Sequence, residues 1–388
     1  MFPKKRIRLI VNAIPLQNVG TGIARYLEGL YSCLEKDYGD QFEIGYFTGV
    51  SVSKTRPRGP SNLDQWSSYV DRFWKLPTLV ALSVRIIVHL QREISFRRAA
   101  RDFDVYHEAA FFPFSSNSGI GTVFTLHDLS LLLFPQFHPK ERVIYSKIFL
   151  RRNCRDINQF VTDSEFIKGQ AIEYLGIDAH KITAIPLAHD RSIFYPRDSI
   201  EVESVRRRFE LPPGYFITVG SGDPRKNMDI IPKALKMAGL DAPLALVGWS
   251  GWTASSGSGA DARSLGYVSN DDLAKLYSGA LGLVYPSLYE GFGLPILEAM
   301  ACRCPVVCSR RSSIPEVAGS AALFMHDPRS PVELAGLLKD LAHHPTLRLA
   351  LAERGKAQAD SFSWERTTEQ MVEVFRGVQA RGGTSAVP

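Results

Sequence analysis

The residues best suited to chemistry cluster at turns. Gly220-Ser221-Gly222-Asp223-Pro224-Arg225-Lys226-Asn227 joins two glycines to two adjacent cations where a strand gives way to a helix. Glycines let a backbone approach a ligand, and a helix N-terminus favours negative charge. Cations are unfavourable against that end unless an anion intervenes, so the pattern favours a phosphate site over a solvated Arg-Lys pair. Arg225 can grip a diphosphate bidentately, and Lys226 adds a compact point charge. An earlier turn, Asn18-Val19-Gly20-Thr21-Gly22, has the same setting, but Arg25 stands where a dinucleotide fingerprint has its third glycine. It reads either as a phosphate or sugar contact or as a plain tight turn. Downstream, Glu290 lies in a loop with Gly291 and Gly293, and Glu298 lies about one turn into a helix opened by Pro295. Glu298 suits paired hydroxyls, such as those of a ribose. Glu290 suits sugar hydroxyls or positive charge developing on a sugar ring. Arg225 and Lys226 nearby should keep both ionised, which disfavours a general acid–base pair.

Elements must position these groups. Short apolar runs alternate with helical periods. Strands are expected at Ile7 to Asn12, Phe42 to Phe47, Val105 to His107, Thr122 to His127, Phe160 to Ser164 and Ile182 to Ile185. The pattern repeats at Tyr215 to Val219, Leu244 to Val247, Gly282 to Tyr285, Pro305 to Cys308 and Ala322 to Phe324. Strands alternating with helices predict an α/β protein with parallel sheets covered on both faces. A charged, proline-bearing stretch around Pro196, Pro212 and Pro213 marks a boundary. Residues 1–195 and 196–363 then form two doubly wound domains, and 364–388 a terminal helix and tail. Trp364, Thr368, Met371 and Phe375 give that helix an apolar stripe, which could dock on the first domain. Ligands of such sheets sit at strand carboxyl ends, so the cleft between two facing halves is the expected site.

Composition narrows the classes. The 388 residues suit two or three domains. At 45% hydrophobic and 22% charged, the chain is neither disordered nor collagenous nor a coiled coil. No apolar run is long enough to predict a membrane span. A net charge of +6 leans toward anionic partners such as phosphate or a membrane surface, and is too small for a nucleic-acid coat. Five cysteines are too few for a disulfide framework, and Cys302, Cys304 and Cys308 lack a zinc spacing, so buried reduced thiols are expected. Met1 to Arg8 lacks the apolar core of a signal peptide, which makes a cytoplasmic location the default expectation.

The run Tyr285-Pro-Ser-Leu-Tyr-Glu-Gly-Phe-Gly-Leu-Pro-Ile-Leu-Glu-Ala299 resembles the Glu-x₇-Glu signature of the retaining glycosyltransferases of family 4, which have the GT-B fold. The Gly20-Thr21-Gly22 loop, Leu126-His127-Asp128, Val161-Thr-Asp-Ser164, Pro224-Arg-Lys-Asn227, Gly266-Tyr-Val268 and Phe362-Ser-Trp364 fall in the family's order, over nearly the whole chain. The resemblance implies two Rossmann-like domains facing a central cleft. It gives Arg225 and Lys226 the donor diphosphate and Glu298 the ribose. Glu290, with the backbone of Phe292, Gly293 and Leu294, takes the donor sugar. Tyr267 and Val268 lie where the family packs the base, Gly22 approaches the diphosphate beside Gly20, and Gly222 lies in the donor turn. His127 lies where the family has a histidine beside the donor sugar; its plain alternative is a strand-end histidine with satisfied structural bonds. No matched carboxylate is an obvious nucleophile, so front-face attack is favoured, with the leaving phosphate accepting the acceptor's proton. No metal or other cofactor is expected. The triplet Asp102-Phe103-Asp104 resembles a metal motif of the other large glycosyltransferase fold, but it precedes a strand far in sequence from the donor motifs.

Between residues 72 and 101, Arg72, Lys75, Arg85, Arg92, Arg97, Arg98 and Arg101 face the single Glu93, with many aliphatic residues between. Lys147, Arg151, Arg152 and Arg155 form a second basic run. The first stretch reads either as a basic amphipathic helix resting on an anionic membrane or as a core helix with a solvated edge. The stretch His127-Asp128-Leu129-Ser130, with Phe134-Pro135 and His138-Pro139, is similar to mannosyl- and rhamnosyltransferases of surface-polysaccharide assembly. A GDP-linked donor is therefore preferred over UDP-glucose, and a glycan or lipid-linked glycan is the expected acceptor. A nucleotide-sugar epimerase of the same fold and a non-catalytic nucleotide-sugar binding protein are the competing readings. A dehydrogenase is disfavoured by the missing third glycine.

Overall fold

The computed structural model describes residues 6–17, 21–58, 77–110, 113–116, 119–248 and 262–382. The chain divides into two compact units, Met1–Leu187 with Trp364–Pro388, and Ala188–Ser363. The first division falls upstream of the Pro196 region, and the terminal helix belongs to the first unit.

The first unit is built on β1 (Ile7–Asn12), β2 (Phe42–Phe47), β3 (Val52–Ser53), β4 (Val105–Glu108), β5 (Gly121–Leu126), β6 (Gln159–Thr162) and β7 (Ile182–Ala184), ordered β3-β2-β1-β4-β5-β6-β7. All pairs are parallel except the β2–β3 edge. Every residue of β4 and β5 is buried, as strands covered on both faces require. Helix Gly22–Tyr38 follows β1. Thr21 caps it by accepting from the Ala24 amide at 3.2 Å, and it buries Ala24, Leu27, Tyr31 and Leu34 at helical spacing. Helix Trp364–Gly382 completes this unit, burying Thr368, Met371, Phe375 and Val378. Its close seat depends on two glycines. A Cβ at Gly29 would stand 2.1 Å from the Trp364 ring, and one at Gly121 2.3 Å from Val378. Thr367 Oγ1 donates to the Pro186 carbonyl at 2.7 Å.

The second unit holds β8 (Phe216–Val219), β9 (Leu244–Val247), β10 (Ala262–Gly266), β11 (Gly282–Tyr285), β12 (Val306–Ser309) and β13 (Leu323–Met325), all parallel, in the order β10-β9-β8-β11-β12-β13. Ile231, Leu235, Leu244, Val307, Leu334 and Leu338 form its core, joining the sheet to helices Ile230–Ala238 and Pro331–His343. The turns after β8 and β9 touch through their backbones: Gly248 has φ +125°, and a Cβ there would lie 2.1 Å from the Gly220 carbonyl oxygen. Both sheets reverse strand order beside their first strand, between β1 and β4 and between β8 and β11. Ligands of open parallel sheets collect at such reversals.

The sequence reading omits β3, which has only two residues, and β10, an edge strand whose half-exposed residues show no apolar alternation. All five cysteines are free thiols, and Cys302, Cys304 and Cys308 are buried. Among the described residues no helix is long and apolar enough to cross a membrane.

Candidate active site

In the second unit the chemistry-bearing residues leave the sheet at the β8–β11 reversal. Asp223 opens a single helical turn, Pro224–Lys226, after β8. Its carboxylate accepts from the Arg225 amide at 2.9 Å and from the guanidinium Nε and Nη2 at 3.0 and 2.6 Å. Burial alone would raise the Asp223 carboxyl, but the Arg225 bonds hold it below its usual range. The sequence offers this guanidinium to a diphosphate; the structure turns it onto its own turn's carboxylate. The Arg225 carbonyl accepts from the Leu288 amide at 2.7 Å, and Asn227, at φ +54°, donates to the Pro286 carbonyl at 3.2 Å. The turn after β8 and the loop after β11 are thus sewn together.

Lys226 spans the same seam. Its Nζ donates to both Glu290 oxygens, at 2.7 and 2.9 Å, and to the Tyr285 hydroxyl at 3.0 Å. Both members of the ion pair are mostly buried, so each relieves the other's desolvation. Burial pushes the Tyr285 phenol far up, and the Glu290 and Glu298 carboxylates push it further, so it stays protonated. The loop that presents Glu290 is held from beneath. Ser312 Oγ accepts from the Glu290 amide at 2.9 Å, and Ser313 Oγ lies 2.9 Å from the carbonyls of Glu290 and Phe292. Gly293, at φ +114°, then turns the chain into helix Leu294–Ala301, with Pro295 in its first turn. Leu294 is half-buried, and Glu298 is buried at 2% exposure one turn further on. Gly222 is buried within the turn after β8, whereas Tyr267 is exposed and Val268 half-buried just after β10.

In the first unit Gly20 lies outside the described residues. Gly22 is exposed, and a Cβ there would meet nothing within 4 Å, so packing does not demand a glycine. His127 follows β5. Its Nδ1 is 2.7 Å from Asp163 Oδ2, and its Nε2 is 3.0 Å from the Ala109 carbonyl, which can only accept. Both ring nitrogens are therefore engaged. Burial alone would lower this imidazole, but the Asp163 carboxylate and the Ala109 carbonyl outweigh it and raise the pKa above its ordinary value. Tyr26 meets the ring edge-on at 5.0 Å. Just before Ala109 in the chain, Glu108 accepts from Asn12 Nδ2 at 2.9 Å and from the Ala110 amide at 2.7 Å, and burial lifts its carboxyl to about 7. Asp104 of the acidic triplet accepts from the Arg8 amide at 2.9 Å and its guanidinium at 2.8 Å.

The structure thus pairs Lys226, which the resemblance gives to the donor diphosphate, with Glu290, which it gives to the sugar, and the residues that hold Lys226, Glu290, Arg225 and His127 are new. Asp223, Tyr285, Ser312, Ser313 and Asp163 carry no role in the sequence reading. For Asp163 a signal existed: it directly follows β6, the strand paired with β5, just as His127 directly follows β5, and the register pairs Leu126 with Thr162 immediately before them.

A family model described as glycosyl transferases group 1 matches residues 200–358, and one described as glycosyltransferase family 4 matches residues 21–192. Over 387 residues the chain is 32% identical to the O-antigen chain mannosyltransferase B of Escherichia coli, covering 95% of this chain and 100% of that protein. Two solved structures share the fold. Sucrose-phosphate synthase from Thermosynechococcus elongatus superposes with a TM-score of 0.69 at 18% identity, covering 97% of this chain and 100% of that one. HepE of Anabaena, in complex with UDP-glucose, gives 0.68 at 16% identity, covering 96% and 100%.

Proposed function

The chain belongs to family 4 of the glycosyltransferases and has the GT-B fold, and from that premise we propose that it is a retaining, metal-independent mannosyltransferase of surface-polysaccharide assembly. Its donor is a nucleotide diphosphate sugar, GDP-mannose first and a GDP-deoxyhexose such as rhamnose second. Its acceptor is a glycan or lipid-linked glycan, and its place is the cytoplasm. The similarity to an O-antigen chain mannosyltransferase supports the choice of sugar.

The observation that carries the reading is the Lys226–Glu290–Tyr285 cluster at the β8–β11 reversal. Lys226 would share its ammonium between Glu290 and the donor diphosphate, and Arg225 would swing from Asp223 or bridge to the same phosphates. Glu298 would hold the ribose, with Tyr267 and Val268 at the base. In the reaction the bond from the sugar's C1 to the phosphate oxygen breaks, and the acceptor oxygen bonds to C1 on the same face. The acceptor's proton passes to the departing phosphate. Positive charge then develops on the ring near Glu290 and negative charge near Lys226, which is where preorganised groups help most. His127 would keep Asp163 on Nδ1 and turn its Nε2–H from the Ala109 carbonyl to a sugar hydroxyl.

Lys226→Ala removes a charge-assisted contact worth roughly 1.5–3 kcal/mol, so kcat/KM for GDP-mannose should fall about tenfold or more. Unchanged kinetics would overturn the phosphate assignment. NMR of the product's anomeric proton checks retention, and activity surviving EDTA checks metal independence. Thermal shifts against GDP, UDP, ADP and NAD identify the base.

A further inference from the structure

Helix Thr78–Ala99 buries polar groups beside Ala81 and Phe96 and leaves much of its aliphatic surface outside. Its buried side chains include His89 and Glu93, with Arg85 and Arg97 half-buried beside them. These polar groups pair beneath the helix. His89 Nδ1 bonds the Tyr145 hydroxyl at 3.0 Å, Arg97 donates to Glu93 at 3.0 Å, and Arg85 faces Glu141 at 3.7 Å. The outward face is the apolar one. Leu79, Val80, Val84, Ile87, Leu90 and Ile94 are 76%, 48%, 40%, 56%, 39% and 53% exposed. Helix Lys140–Asn153, which packs beside it, adds exposed Ile144 and Ile148. Eight of the sixteen large apolar side chains exposed among the described residues therefore lie on these two helices. Scattered exposed aliphatics need no explanation, but such concentration marks an interaction surface.

The charges say what covers it. The two helices contain only two carboxylates, Glu93 and Glu141, and both are buried. On the helices themselves Arg98, Lys140 and Lys147 are exposed; just past the first helix Arg101 is exposed beside exposed Asp102. A second copy of this chain would set the exposed cations of these helices against one another across a two-fold axis, with no exposed acid on either helix to pair them. An anionic bilayer instead offers hydrocarbon to the aliphatics and phosphates to the cations, the combination by which interfacial helices bind. We propose that Thr78–Ala99 and Lys140–Asn153 form a membrane-docking surface that inserts its aliphatic face into an anionic lipid leaflet. Arg72 and Lys75, which extend the basic run, lie outside the described residues.

The test is co-sedimentation of the full chain with vesicles of phosphatidylglycerol and phosphatidylcholine in equal parts, against vesicles of phosphatidylcholine alone. Binding is expected to the first and to be far weaker to the second. Ile87→Ser with Ile94→Ser should lower partitioning at least about tenfold, and Arg98→Gln with Arg101→Gln roughly fivefold per charge removed. Both pairs are on the surface, so melting temperature and transfer to a soluble acceptor should not change, which separates this result from any failure of the proposed transferase chemistry. No sedimentation with the anionic vesicles, or full binding by the serine variant, would overturn the proposal. So would a dimer in analytical ultracentrifugation that the serine variant abolishes without any vesicle binding.

Discussion

His127 uses both ring nitrogens, on Asp163 and on a backbone carbonyl. This pair explains a raised imidazole pKa in a buried site, where desolvation alone would depress it. Asp163→Asn keeps the shape and removes the charge, so NMR titration should find the His127 pKa above about 6.5 in the wild type and lower in the variant. Because the folded pKa is raised, the stabilisation is fully present below the ordinary histidine value and is lost as pH rises through the folded one. A melting profile in which only the wild type weakens over that window is the matching stability result. At this scale the sequence revealed residue types more readily than partners. His127, Lys226 and Glu290 stand in recognisable motifs, whereas Asp163 and Tyr285 depend on which strands lie side by side. Arg225 shows the limit most clearly: Asp223, two residues away, is in plain view, but its grip on the guanidinium depends on the turn's geometry.

At the scale of elements, the turns after β8 and β9 meet with no room for a side chain. Gly248→Ala would force its new Cβ into the Gly220 carbonyl and also strain a backbone at φ +125°. A loss on the order of 1–3 kcal/mol in second-unit stability is expected by denaturant titration. Gly22→Ala meets open space and serves as the control. Gly220 packs against the Lys226 stem, so Gly248→Ala should also weaken nucleotide binding. Most strands were legible because both faces of a parallel sheet demand continuous apolar runs, as in β5. β3 and β10 were not, because an edge strand lacks that demand. Helix Thr78–Ala99 was legible as a helix, but its sequence left open whether the aliphatic side faces the core or the outside, because which residues lie beneath it depends on partners such as Glu141 and Tyr145 from a distant helix.

For the molecule as a whole, the terminal helix Trp364–Gly382 is the piece that makes the first unit whole. Phe375 is fully buried against Phe42 and His107, at ring distances of 6.2 and 5.4 Å. Phe375→Ala should cost the first unit about 3–5 kcal/mol, while calorimetry finds the second unit's transition unmoved. An apolar stripe at Trp364, Thr368, Met371 and Phe375 announced that the helix must dock. Its seat rests on Gly29 and Gly121, whose importance no local pattern discloses.

That seat has a consequence for biogenesis. The early strands emerge from the ribosome long before the helix that roofs them, because all of Ala188–Ser363 is translated in between. At roughly 5–20 residues per second the wait is on the order of ten seconds or more. Throughout it, the hollow awaiting Phe375 and Val378 stands bare on a nascent chain. A stall before codon 364 would leave a lobe unable to close, and such truncated products should be clients of ribosome-associated chaperones.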